Sequence, residues 1–97
     1  MNAIQVLDHL AYAVVTPDAR AEHLKPDGEG GRPTLKQMQE AVGGWIEIVP
    51  LPHDTNLMMV VNEEGLLEGL PVNIFASAIA GQPIVGNALF VPDEDLD

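Results

Sequence analysis

The stretch Thr34-Leu-Lys-Gln-Met-Gln-Glu-Ala-Val-Gly-Gly-Trp-Ile-Glu-Ile-Val49 decides the fold, because it contains a helix that stops and turns directly into a strand. Thr34 followed by Gln37 is a capping box, in which each side chain satisfies the other residue's backbone N–H. The apolar residues that follow recur at helical spacing, and Gly43 suits the left-handed position that ends a helix. From Trp45 the apolar pattern alternates, so a strand is predicted over residues 45–49.

Apolar segments outside this stretch predict the remaining strands and a second helix. Residues 57–61 are continuously apolar, which is typical of a strand covered on both faces. Prolines lack a backbone N–H, so the two at positions 50 and 52 predict a turn across residues 50–56. Asn73 and Gly81 are suited to begin and end a helix at Ile74–Ala80. Further strands are expected over residues 11–16 and 84–91, together with a hairpin partner over 21–25 and a short return strand from Leu66.

These elements predict an α+β fold, with a small, mainly antiparallel sheet and two short covering helices. We expect a single domain over residues 1–97, because about 100 residues is the usual size of one core. Within it, residues 1–10 are an ambiguous lead-in, residues 26–33 a flexible loop and residues 93–97 a disordered acidic tail. A chain of this length has few other apolar segments to cover both faces of the 57–61 strand. We therefore expect a homo-oligomer in which a second subunit covers part of the sheet.

The charge of the chain restricts its partners. The formal net charge is −11, and from Gln37 to the end there are ten acidic residues and no basic one. Direct binding to nucleic acid is therefore disfavoured, because no cluster of bases can neutralise phosphates. The charge is compatible with a basic protein partner and equally with a role in solubility. The four basic residues all lie in the first part of the chain: Arg20, Lys25, Arg32 and Lys36.

Other compositional features exclude further classes. The sequence contains no cysteine, so neither a disulfide nor a zinc–thiolate site can form. No apolar run approaches the roughly 20 residues that span a bilayer. We expect no membrane contact and a cytoplasmic location.

Four motifs in a fixed order carry a family resemblance. They are Leu35-x-x-Met-Gln-x-x-Val-Gly-Gly-Trp-Ile-Glu, Val61-Asn-Glu-Glu-Gly, Gly69-Leu-Pro-Val-Asn73 and Ile84-Val-Gly-Asn87. With these motifs, residues 11–91 resemble a small family from bacteriophages and mobile elements that is known as a domain of unknown function. The resemblance implies an accessory protein of a virus or mobile element, acting in the cytoplasm of the host cell. It carries over no catalytic residues.

The sequence offers no pattern typical of an enzyme or a metal site. None of the three histidines is paired at helical spacing, so we expect no metal. Glu63 and Glu64 are adjacent in a predicted turn, where two carboxylates face different ways and stay solvated. Ser77 lies inside a helix without the turn of a nucleophile elbow. We predict no catalytic residue and no cofactor.

Asparagines at the ends of elements are the candidate ligand residues. Asn62, Asn73 and Asn87 each fall at a predicted strand or helix end, within three residues of a glycine or proline, where asparagine commonly serves turn and cap chemistry alone. Their amides could alternatively read a small polar ligand, with the ring of Trp45 stacking on a base. In that case Arg20 is a candidate donor to a phosphate.

Two functions remain as hypotheses. The first is a non-enzymatic, phage-type counter-defence protein that binds and sequesters a small nucleotide-derived host signal. The alternative is an acidic decoy whose carboxylates stand in for DNA phosphates and block a host defence or DNA-binding protein. The carboxylates considered for the decoy are the tail and Glu40, Glu47, Asp54, Glu63, Glu64 and Glu68.

Overall fold

The computed structural model describes residues 10–96, in which a five-stranded sheet has one α-helix on each face. The lead-in predicted over residues 1–10 lies outside the described residues apart from Leu10, and so does Asp97. Two 3-10 turns accompany these elements, at Glu29–Gly31 and Asp93–Leu96. In chain order the strands and helices are β1 (Ala13–Val15), β2 (Ala21–His23), α1 (Leu35–Val42), β3 (Ile46–Leu51), β4 (Asp54–Asn62), α2 (Ile74–Ala80) and β5 (Ala88–Pro92).

The sheet is antiparallel throughout and has the order β2-β1-β5-β4-β3. The last strand of the chain, β5, therefore lies in the centre, between β1 and β4. The edges of the sheet are β2 and β3. This arrangement confirms the predicted α+β fold with a mainly antiparallel sheet and two short helices.

Each face of the sheet packs against one helix. On one face, Met38 and Val42 of α1 form a buried cluster with Val60, Leu89 and Val91. On the other face, α2 belongs to a larger buried cluster that includes Ala76, Ala80, Met59, Val61 and Phe90. Both faces of β4 are thus covered within one chain, which removes the reason for expecting a second subunit. Homo-oligomerisation itself stays a prediction.

Both helices begin and end at the predicted residues. Thr34 Oγ1 accepts a hydrogen bond of 3.0 Å from the Gln37 N–H, and Gln37 Oε1 accepts one of 3.1 Å from the Thr34 N–H. This is the predicted capping box. Gly43 ends α1 in the left-handed conformation with φ of 80°. Asn73 caps α2, which Gly81 ends.

The prediction of a turn over residues 50–56 was wrong. β3 continues through Pro50 to Leu51, and β4 begins at Asp54, so that only residues 52 and 53 connect the two strands. The Glu63 N–H donates to the Trp45 carbonyl at 2.8 Å, and the antiparallel register then directs the backbone groups of residue 50 away from β4. Proline is tolerated there, because an edge strand needs no donor on its outer side.

Two further segments differ from expectation, and the flexibility of a third stays a prediction. The strand predicted from Leu66 is an exposed turn, since Leu66 and Leu67 are 82% and 87% exposed. At the start of the predicted flexible loop over residues 26–33, the Gln37 side chain donates to the Lys25 carbonyl at 2.9 Å and accepts from the Asp27 N–H at 3.1 Å. The acidic segment Asp93–Leu96 forms a 3-10 turn instead of a disordered tail.

Candidate functional site

Asn73, one of the five candidate ligand residues, is completely buried at 0% exposure. Its Oδ1 accepts from the Ala76 N–H at 3.0 Å, and its Nδ2 donates to the carbonyls of Val15 and Gly86, both at 2.9 Å. The amide therefore caps α2 and ties that helix to β1 and to the segment before β5. Every polar atom of this side chain has a partner inside the protein, so the structure gives it an architectural role.

Asn62 and Asn87 hold the other helix. Asn62 Nδ2 donates to the Val42 carbonyl at 3.3 Å, and Asn87 Nδ2 donates to the Ala41 carbonyl at 3.0 Å. The last carbonyls of a helix lack partners within the helix, and here Asn62 at the end of β4 and Asn87 just before β5 supply them. Asn62 Oδ1 also accepts from the Glu64 N–H at 2.8 Å, which shapes the turn after β4. The two amides thus fasten the end of α1 to the sheet.

Trp45 and Arg20 lie at the surface, in different parts of the sheet. The Trp45 side chain is 66% exposed and immediately precedes edge strand β3. Arg20 immediately precedes β2, at the opposite edge, and its Nε lies 3.2 Å from Oδ2 of Asp18 in an exposed ion pair. The structure does not bring these two residues together.

The predicted ligand residues Asn62 and Asn87 also line different surface grooves. Asn87 lines a groove of about 460 Å³, together with His23, Lys25 and Glu40. Asn62 lines another of about 180 Å³, in which Glu47 and Glu63 also take part. A small-molecule site usually occupies about 300–1,000 Å³, so only the first has the size for a nucleotide-like ligand. The predicted pocket residues therefore do not converge on one groove.

The sequence matches the family described as "Domain of unknown function (DUF3846)" over residues 12–97. The chain belongs to this family. The match covers every strand and helix of the fold, from β1 to the last 3-10 turn. No curated protein and no solved structure matches the chain.

The four sequence motifs quoted above occupy junctions between elements of the fold. Val61-Asn-Glu-Glu-Gly is the end of β4 and its turn, and Gly69-Leu-Pro-Val-Asn73 leads into α2. Val72 forms a bridge with Val85, so this lead-in pairs with the fourth motif, Ile84-Val-Gly-Asn87. The polar residues of these motifs include the asparagines that fasten the helices. The motifs therefore contain residues that hold the architecture together.

Exposed carboxylates occur in many parts of the surface formed by residues 10–96. Within residues 10–96, no group of three or more His, Asp or Glu side chains is placed to hold a metal ion. In the same part of the chain, no helix is long and apolar enough to cross a membrane. The exposed carboxylates belong to Asp18, Glu22, Asp27, Glu29, Glu40, Glu47, Glu63, Glu64, Glu68, Asp93 and Glu94.

Sequence reasoning missed two features of this DUF3846 domain. One is the outer edge of β3 through Pro50, which depends on the order of strands in the whole sheet and therefore has no local sequence signal. The other is Tyr12, which has a φ of 65° and donates its hydroxyl proton to Asp95. That hydrogen bond, followed by burial and the negative charges of Asp95 and Glu94, raises the Tyr12 pKa from 10.0 to about 12. No local sequence signal connects residues 12 and 95.

Proposed function

We propose that this chain is a non-enzymatic binding protein whose acidic surface engages a basic protein, in the manner of a decoy for DNA phosphates. In the cell, the partner is a DNA-binding or defence protein of the host, and the chain serves a phage or mobile element as an accessory protein. The observation that carries the proposal is the separation of charge across the sheet, since one edge is acidic and lacks the basic residues of the other.

The order of the strands produces this separation. Arg20 and Lys25 flank β2 at one edge. At the other edge, β3 and the neighbouring end of β4 carry Glu47 and Glu63, both exposed. Charges separated by more than about 10 Å are largely screened at 0.1 M salt, so Arg20 and Lys25 do little to offset the acids that a partner meets at the β3 edge. A surface of one sign steers an oppositely charged partner and raises the association rate.

The burial of the asparagine amides and the exposure of the carboxylates also favour a protein partner over a small ligand. Asn62 and Asn73 are buried at 5% and 0% exposure, and their amides have internal partners. The carboxylates of Glu47, Glu63 and Glu64, in contrast, are exposed. Next to them lies the exposed ring of Trp45, a residue type enriched among the strongest contributors to protein–protein binding.

Two charge-matched double variants test this proposal. Glu47→Gln/Glu63→Gln neutralises the β3 edge, and Asp18→Asn/Glu22→Gln removes the same number of charges at the β2 edge. Each protein is immobilised and exposed to an extract of the host cell. Bound proteins are then eluted with rising salt, identified, purified and measured for direct binding. A carbodiimide joins carboxylates of the chain to lysines of the partner and locates the contact.

We expect a basic protein to bind the wild type and the β2-edge variant but not the β3-edge variant. High salt should elute this protein. Duplex DNA should compete for the same partner, because the carboxylates occupy the place of phosphates. Equal binding by both variants, or binding that salt does not weaken, contradicts the proposal.

A second function is favoured by one groove. The groove of about 460 Å³ beside Asn87 has the size of a small-molecule site, and Lys25 lines it. We propose as an alternative that it sequesters a nucleotide-derived host signal. This proposal ranks second because Glu22 and Glu40 line the same groove and oppose a phosphate.

Thermal unfolding against cyclic dinucleotides and ADP-ribose derivatives tests the second function. A ligand at 100 times its Kd stabilises the folded state by about 2.7 kcal/mol. Lys25→Ala should abolish the stabilisation, whereas Lys36→Ala, which removes the same charge outside that groove, should leave it in place. No shift with any compound eliminates this candidate.

A further inference from the structure

The outer edge of β3 has backbone groups that face no other strand of residues 10–96. Because the Trp45 carbonyl accepts from Glu63, residues 45, 47 and 49 direct their backbone groups toward β4. The N–H and C=O groups of Ile46 and Ile48 therefore point away from the sheet, on the side where β3 has no neighbour among the described strands. Unpaired groups of this kind are a template for a further strand. Pro50 limits the template, since it supplies no donor at the next outward position.

The two faces of this edge differ in chemistry. The side chains of successive strand residues alternate between faces, so Glu47 points to one face and Ile46 and Ile48 to the other. Ile48 is 45% exposed, and Ile46 is partly buried against the cluster beneath α1. Trp45 is exposed beside the strand. The edge therefore presents the Glu47 carboxylate on one face, called the upper face here, and the aliphatic side chains of Ile46 and Ile48 on the other, lower face.

Charge decides which strand can be added. A second copy of this chain brings a net charge of −11 to a surface that is already acidic. In a pairing centred on Glu47, two carboxylates would stand directly opposite each other, which is destabilising. A basic segment has the complementary charge. The β2 edge is a poorer site for it, because that strand has three residues and is flanked by Arg20 and Lys25.

We propose that an extended segment of a basic protein, with lysine or arginine alternating with aliphatic residues, pairs antiparallel with residues 46–48 as a sixth strand. This inference rests on the proposed function and names its contact site. Partner residues opposite Ile46 and Ile48 exchange backbone hydrogen bonds with them and place aliphatic side chains on the lower face. The partner residue opposite Glu47 is in the closer, non-hydrogen-bonded type of pair, so its cationic head reaches that carboxylate. A cation there can also lie over the Trp45 ring.

The probe is the capped peptide Val-Lys-Val-Lys-Val, added to the full chain while backbone amides are followed by NMR. We expect the amides of Ile46 and Ile48 to shift. Their hydrogen exchange should slow about tenfold when about nine-tenths of the protein is bound. Fluorescence of Trp45, the single tryptophan, should change over the same concentration range. Absence of these changes at about 1 mM peptide, the weak end of the affinity scale, overturns the inference.

Two N-methylated peptides separate strand pairing from simple charge attraction. Methylation of the valine nitrogens removes the donors that face β3, whereas methylation of the lysine nitrogens alters the outer edge alone. The first peptide should lose binding and the second should keep it. Equal binding of the two contradicts strand addition, since both have the same charge and side chains.

Substitutions in the protein provide the matching comparison. Glu47→Gln should raise the Kd for the unmodified peptide about two- to fivefold, the range expected for losing one exposed ion pair. Glu29→Gln, at an exposed position in the 3-10 turn Glu29–Gly31, removes the same charge outside the proposed binding surface and should leave the Kd unchanged. A Kd that rises equally in both variants contradicts a specific site at Glu47.

The outcomes also separate this inference from the proposed function. Carbodiimide coupling of a basic protein to carboxylates distant from β3, with unshifted Ile46 and Ile48 amides, would overturn the inference and leave the proposed function intact. Loss of salt-sensitive capture removes the proposed function itself. Concentration-dependent protection of Ile46 and Ile48 without peptide would identify a second copy as the occupant and also overturn the inference.

Discussion

The side-chain amide of Asn73 donates a 2.9 Å hydrogen bond to the carbonyl oxygen of Val15, which lies 58 residues earlier in the chain. The same nitrogen also donates to the Gly86 carbonyl, and Oδ1 of the side chain caps α2. One buried residue thus connects a helix with two distant segments of backbone. It has no exposed surface through which a ligand could reach it in this conformation.

Asn73→Ala should lower the free energy of unfolding by about 3 kcal/mol, since it removes a helix cap and the donors to two carbonyls. Asn73→Asp should also destabilise, because it keeps the acceptor but loses both donors and buries a charge. Urea unfolding measures both. The control is Asn56→Ala at an exposed position, expected to stay within about 0.5 kcal/mol of wild type. A similar stability of Asn73→Ala and Asn56→Ala would disprove the role assigned to this amide.

The helix boundaries were predictable because their signals are local. The capping box of Thr34 and Gln37 and the cap at Asn73 each involve residues that are close in sequence. The course of Pro50 was not predictable in the same way. Whether a proline can stand in a strand depends on whether that strand lies at an edge, and the order of strands is a property of the whole sheet.

The candidate site was less accessible to sequence reasoning than the fold. Asparagine at the end of an element is compatible with a cap, a turn or a ligand contact, and only tertiary structure distinguishes these. The partners of Asn62, Asn73 and Asn87 include carbonyls 20, 58 and 46 residues away, respectively. The sequence alone predicted turn chemistry and a pocket as alternatives, and the internal hydrogen bonds favour an architectural role for the buried amides.

Ionisation of Tyr12 should occur near pH 12, since the hydrogen bond to Asp95, burial and nearby carboxylates all oppose a phenolate. Tyr12 is the single tyrosine, so its ultraviolet absorbance reports the titration directly. Asp95→Asn removes the charge and should bring the pKa toward 10.0, the usual value. An unchanged midpoint in this variant would exclude Asp95 as the main cause.

The same shift predicts a dependence of stability on alkaline pH. Because the pKa of Tyr12 is higher in the folded than in the unfolded state, its contribution to stability is complete below pH 10.0 and is lost as the pH rises through about 12. Tyr12→Phe should reduce the fall in the free energy of unfolding across this interval. Urea unfolding at a series of pH values provides the test. The reference is the slope of the free energy of unfolding against pH in the wild type.

Gln37 should control the order of the loop over residues 26–33 as well as the start of α1. Gln37→Ala removes the hydrogen bonds to Lys25, Asp27 and Thr34, and we expect a loss of about 1–2 kcal/mol. Gln37→Glu keeps the acceptor and should retain protection of the Asp27 amide against hydrogen exchange. Equal exchange at Asp27 in the wild type and in Gln37→Ala would show that the loop does not depend on this side chain.

Substitution by glycine should have opposite effects on stability at two exposed alanines of the first hairpin. Ala19 has a φ of 65°, a left-handed conformation that glycine adopts without strain, so Ala19→Gly should stabilise by about 0.5–1 kcal/mol. Ala21 is in extended strand β2, where glycine has only an entropic cost, so Ala21→Gly should destabilise by about 0.5–1 kcal/mol. Changes of the same sign, measured by chemical denaturation, would contradict the assigned backbone conformation.

The central place of β5 in the sheet has a consequence for synthesis on the ribosome. The hairpin of β1 and β2 and the hairpin of β3 and β4 emerge first, but neither pairs with the other, since β5 lies between them. At about 5–20 residues per second, the nascent chain spends several seconds as two separate hairpins with the apolar residues of β4 only partly covered. Folding is completed only when Ala88–Pro92 has left the ribosomal tunnel and inserted between β1 and β4.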